Sequence, residues 1–233
     1  MATLAQLQLA PAQGDERFFL KSACLMALII VFGFSLQLAM GRSTFASPLR
    51  VHIHAVLFMG WVAIYLTQNV LVATDRIHWH RRLGWLAAAW MVAMVISGHV
   101  VTLAMVRAGT VPFFFQPLHF LVFDPLTVTG FAALTVAAVK LRRRTEWHRR
   151  LHFWGMTILI APAFGRLLPM PLLQPWSWEA AFAVALLFPI AGVLADIRRG
   201  GRVHPAWNWG IAAVLGSFIL TQTVTYSAIG TAI

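Results

Sequence analysis

An all-helical membrane bundle is the fold class that this sequence predicts, and three observations predict it. First, 60% of the 233 residues are apolar and only 11% are charged, too little charge to build the polar shell of a soluble domain. Second, the apolar residues form blocks of the length that crosses hydrocarbon, about 20 residues at about 1.5 Å each. Third, several of the ten tryptophans stand at block ends, including Trp79, Trp85, Trp147, Trp176, Trp178 and Trp207, as in the aromatic belts of membrane interfaces.

The blocks predict seven helices in turn. Helix one runs from Phe18 to Met40, helix two from Arg50 to Ala73, and helix three from Leu83 to Val106. Helix four starts at Pro117, a favourable first-turn residue, and ends near Val139. Helix five, from Arg150 to Leu168, is stopped by a stretch containing Pro169, Pro171 and Pro175. Helix six spans Trp178 to Ala195 and helix seven Ala206 to Ile229. Short connections join them into one membrane domain over residues 1–233, with a four-helix core over about 50–168.

Charge gives the bundle a direction. Fourteen Lys and Arg residues, among them Arg17, Lys21, Arg76, Arg81, Arg82, Arg149, Arg150 and Arg199, fall on one side; only Arg42, Arg50, Arg107 and Arg166 fall on the other. The first side is expected to be cytoplasmic, with the amino terminus inside and the carboxyl terminus outside. A bacterial-type inner membrane is the expected location. The net charge of +11 follows from those basic loops facing anionic lipid, so no nucleic-acid partner is expected. The opening stretch lacks a basic region and a clear cleavage site, and helix one is expected to be retained. A single cysteine, Cys24, excludes an internal disulfide and a thiolate cage.

Trp79-His80-Arg81-Arg82-Leu83 recurs identically as Trp147-His148-Arg149-Arg150-Leu151. The hairpin of helices two and three therefore reads as duplicated in helices four and five, a parallel repeat about an axis along the membrane normal.

Nine histidines sort by depth into two layers. The outer holds His52, His54, His99 and His119; the inner holds His78, His80, His148, His152 and His204. Ionisable groups within a bilayer are costly and are functional candidates by default. Two inward-facing imidazoles at equal depth suit a b-type haem, and the repeat offers His54 with His119 outside and His80 (or His78) with His148 (or His152) inside. Two stacked haems would make a transmembrane electron path.

The histidine-rich start of helix two, followed by Leu57-Phe58-Met59-Gly60-Trp61, and the His-Arg pair at the head of helix three resemble the cytochrome b-561 family of transmembrane reductases. That resemblance covers helices two to five. It implies a four-helix core with haem b ligands at His54, His80, His119 and His148, serving a membrane or periplasmic electron donor and acceptor. The chain departs from it in the extra helices after the core, in His152 beside His148, and in His99.

Other chemistries are open to the same residues. His54, His99 and His119 suit a three-imidazole Zn or Fe site in the outer leaflet, a hydrolase or oxidase with a position left for activated water. His148 and His152 share a helix face at i, i+4 and suit a metal. Asp124, beside Pro125, reads as a catalytic base, a proton relay or a structural partner. Arg166 reads as a haem-propionate or anionic-substrate contact. A transporter or accessory subunit is the non-enzyme alternative. No lysine lies in helix seven, which removes a retinal Schiff base.

Overall fold

The computed structural model describes residues 13–227. Its helices are α1 (Gln13–Ala39), α2 (Leu49–Ala73), α3 (Ile77–Arg107), α4 (Pro117–Lys140), α5 (Thr145–Leu167), α6 (Ser177–Ala185), α7 (Leu187–Gly200) and α8 (Ala206–Thr225), with a short 3-10 turn at Met170–Leu173. No strand occurs among the described residues. The predicted sixth helix is broken at Leu186 into α6 and α7, and the predicted seventh is α8, whose expected end at Ile229 lies outside the described residues.

Each of α1 to α5 packs against the next, and α5 closes back onto α1. α6 lies on α5, α7 touches α5 and α1, and α8 runs along α4 and α5. Directions follow from the contacts. The Trp90 indole donates to the Leu57 carbonyl at 2.7 Å while Gly84 lies beside Gln68, so α2 and α3 are antiparallel. Val128 meets Gly98 and Asp124 meets Thr102, while Phe131 meets Gly155 and Ala138 meets His148, so α4 is antiparallel to both α3 and α5. Phe19 stacks edge-on to Phe153 and the Gln37 amide donates to the Arg166 carbonyl, so α1 is parallel to α5. Trp147 at the start of α5 meets Trp209 at the start of α8, so the starts of α1, α3, α5 and α8 share one end, the charged end.

Five segments are long and apolar enough to cross a membrane: α1 from Asp15, α2, α3, α4, and α6 with α7 as one stretch from Ser177 to Gly200. Their apolar faces are what a bilayer solvates. α5 is more polar, carrying Glu146, Arg149, Arg150 and Arg166, yet it is the most enclosed helix, with 12 of its 23 residues buried. Its polar groups find protein partners instead of lipid. α8 carries Asn208, Gln222 and several threonines.

Close packing of α8 requires glycine at one position. A Cβ on Gly210 would enter the Trp154 indole. α7 ends at Gly201, whose φ of 67° closes the helix in the left-handed region.

Candidate functional site

The two Trp-His-Arg-Arg-Leu strings lie inside the helices rather than before them. α3 begins six residues ahead of the expected Leu83 and α5 five ahead of Arg150. The reason is the turn at each start: the Arg76 carbonyl accepts from the Trp79 and His80 amides, and the Arg144 carbonyl from those of Trp147 and His148. His80 and His148 are thus fixed on regular first turns, at the charged end of neighbouring hairpins.

Their rings meet, with centroids 6.0 Å apart and planes at 86°. His148 Nδ1 lies 2.9 Å from the Ala138 carbonyl, one of the last carbonyls of α4 and free of a helical partner. A carbonyl only accepts, so Nδ1 carries the proton and Nε2 keeps its lone pair. This is the second-shell arrangement that orients a ligating imidazole. His80 Nδ1 is buried without a hydrogen-bond partner, near the Gln68 carbonyl. His152 stands one turn below His148 with ring centroids 4.7 Å apart, at 84°. The inner layer therefore places His80 and His152 each beside His148. His78 is exposed beside Trp79.

At the opposite end the expected residues fall into separate neighbourhoods. His54 stacks on Phe58 at 4.2 Å, its Nδ1 buried and unpartnered, with the Arg166 charge acting on it. His119 is 5% exposed and boxed by Phe115, Phe123 and Trp178 at 5.1–5.8 Å, with Nε2 unpartnered. It sits on the side of α4 that faces α6. Asp124 lies round the helix on the side facing α3, where it contacts the Thr102 hydroxyl. His99 donates Nδ1–H to the Val95 carbonyl at 2.7 Å, with its ring in electrostatic reach of Asp124. Arg166 donates to the Pro162 carbonyl at 2.8 Å and lies 3.9 Å over the Phe34 ring. His52 binds the Phe45 carbonyl at 3.1 Å on the surface. Among the described residues, no three His, Cys, Asp or Glu side chains converge as a metal-holding group.

One buried polar assembly at the charged end escapes the sequence reading. Arg150 binds Asp196 twice, Nε to Oδ2 at 2.9 Å and Nη2 to Oδ1 at 2.5 Å, and the Trp207 indole donates to the same carboxylate at 2.7 Å. Asp15 on α1 pairs with Arg149 and Arg199 and lies 3.7 Å from Arg150. Arg150, Asp15 and Asp196 are all buried. The available signal was Asp196 in the last turn of an apolar helix, one residue before Ile197 and the Arg198-Arg199 pair. Beside the assembly, His204 Nδ1 accepts the Ala206 amide at 3.1 Å, and Nε2 faces Glu146 at 3.6 Å. Burial, and next the Arg150 charge, push the His204 pKa down, with Glu146 and Asp196 partly offsetting them.

Comparison of the chain with family models, with curated proteins and with solved structures finds no match.

Proposed function

We propose that this protein is a membrane electron carrier that holds b-type haem between His80 and His148, with its chain crossing a bacterial-type inner membrane seven times from a cytoplasmic amino terminus. The seven rods, counting α6 and α7 as one, alternate in direction, and fourteen of the eighteen Lys and Arg residues belong to the charged end, which supports that topology.

The observation that carries the haem reading is the 6.0 Å separation of the His80 and His148 ring centres. A haem would be held by two imidazoles brought side by side from different helices of a bundle, as His80 on α3 and His148 on α5 are. The fixed His148 tautomer adds to the fit. Haem bound here supplies one-electron transfer; the chain's own part is to hold both imidazoles neutral and to enclose them.

The test is the absorption spectrum of the full chain purified in detergent. A reducible Soret band with resolved alpha bands, lost in His80→Ala and in His148→Ala but kept in His152→Ala, is the expected result. Haem that survives the loss of both His80 and His148 overturns the ligand assignment, and a colourless wild-type protein overturns the function.

A further inference from the structure

The two copies of the Trp-His-Arg-Arg-Leu string meet different surroundings. In the second copy Trp147 packs on His204 and Trp209, Arg150 is held by the carboxylates of Asp196 and Asp15, and Leu151 is fully buried. α7 and α8 supply that cover: an apolar wall with an anion at its rim. A shift of 68 residues relates Arg144, Trp147, Arg150 and Leu151 to Arg76, Trp79, Arg82 and Leu83, identical in type. Among the described residues, none covers this first copy in the same way. Trp79 is 56% and Leu86 53% exposed, and a groove of about 520 Å³ runs between α2 and α3, bounded by Leu71, Arg76, Trp79, Arg82, Leu83 and Leu86.

The groove has two cations and no acid in its lining. Arg82 lies 5.3 Å from the Trp79 ring centre, and neither Arg76 nor Arg82 makes an ion pair among the described residues. It opens where α2 ends and α3 begins, next to the exposed Trp79 and Trp85, at the depth of headgroup phosphates in a bilayer that these helices span. Its volume matches a headgroup with the first part of its chains rather than the length of a partner helix.

We propose that this groove seats an anionic phospholipid. Its phosphodiester lies between Arg76 and Arg82, where guanidinium forks match phosphate oxygens, and its glycerol and first methylenes lie on Leu71, Leu83 and Leu86. The lipid supplies to the first copy the anion and the apolar cover that α7 and α8 give to the second. The site is independent of the haem reading.

Native mass spectrometry of the full chain, titrated with dioleoyl phosphatidylglycerol or dioleoyl phosphatidylcholine, tests it. Phosphatidylglycerol adducts are expected to be retained in preference to phosphatidylcholine. They are expected to fall by about tenfold or more in Arg76→Gln/Arg82→Gln, the scale of two charge-assisted contacts. Arg143→Gln, an exposed cation at the same end outside the groove, is expected to leave them unchanged. Both groove arginines are exposed, so the double variant keeps its fold, checked by an unchanged melting profile. Equal retention of the two lipids, or equal loss in Arg143→Gln, overturns the proposal. So does a second copy of the chain bound in place of lipid and lost in the double variant.

Discussion

The hydroxyl of Thr102 stands between two oxygens, the Gly98 carbonyl at 2.9 Å and the Asp124 carboxyl. It has one proton to give, and the carbonyl can only accept. Both contacts are satisfied at once when Asp124 carries a proton and donates it to Thr102, which donates in turn to Gly98. A charged carboxylate would leave one of the two contacts unmade.

The expected outcome is a carboxylic-acid carbonyl band in the infrared spectrum of the wild-type protein at neutral pH, absent from Asp124→Asn and shifted in Thr102→Val. A spectrum without an acid carbonyl sensitive to Asp124→Asn sinks this reading of the pair.

Breaking the Arg150–Asp196 pair leaves a buried guanidinium without its bidentate partner. Asp196→Ala is expected to destabilise the protein by about 3–5 kcal/mol, and Arg150→Met/Asp196→Leu to recover most of the loss, since apolar replacements remove both desolvation costs. Equilibrium unfolding in mixed micelles measures both. A single variant as stable as wild type would show that the pair contributes nothing.

Overpacking at the α5–α8 contact is the third expectation. Gly210→Leu drives a side chain into Trp154 and is expected to cost about 1–3 kcal/mol or to undock α8. Gly216→Leu, with open space around it, is the matched control. Equal melting temperatures for the two variants would be the contrary result.

His204 gives a pH dependence with a definite sign. Its pKa is lowered in the folded protein by burial and by Arg150, while the unfolded chain protonates it near about 6.5. The unfolded state therefore binds more protons in the window below about 6.5. The stability due to neutral His204 is present above that value and is lost as pH falls through the folded pKa. His204→Gln is expected to flatten the melting temperature between about pH 5 and 8; a variant with the slope of wild type counts against it.

The helices were legible because hydrophobic length is written locally: Phe18 to Met40 and Arg50 to Ala73 read as spans without knowing their neighbours, and both segments are long and apolar enough to cross a membrane. Their starts at α3 and α5 were misplaced because Arg, His and Trp lowered the local hydropathy, while the backbone bonds to Arg76 and Arg144 continue the helices through them. The convergence of His80 with His148 followed from the duplicated string. Which way His119 faces did not, since a few residues of helical phase separate the α6 side from the α3 side of α4. Arg150 read as a solvated cation because its partners, Asp15 and Asp196, are 135 and 46 positions away.

The Asp15 contacts set an order of assembly. α1 is made first, yet its carboxylate is held by Arg149 and Arg199, the latter 184 positions later. At about 5–20 residues per second of synthesis, roughly 10–40 s pass before α7 exists to receive it. During that interval α2 and α5 are already there for α1 to pack on, but Asp15 still lacks Arg199. A late part of the chain completes the seating of the first, so a ribosome stalled before Arg199 leaves Asp15 with the arginines of α5 alone.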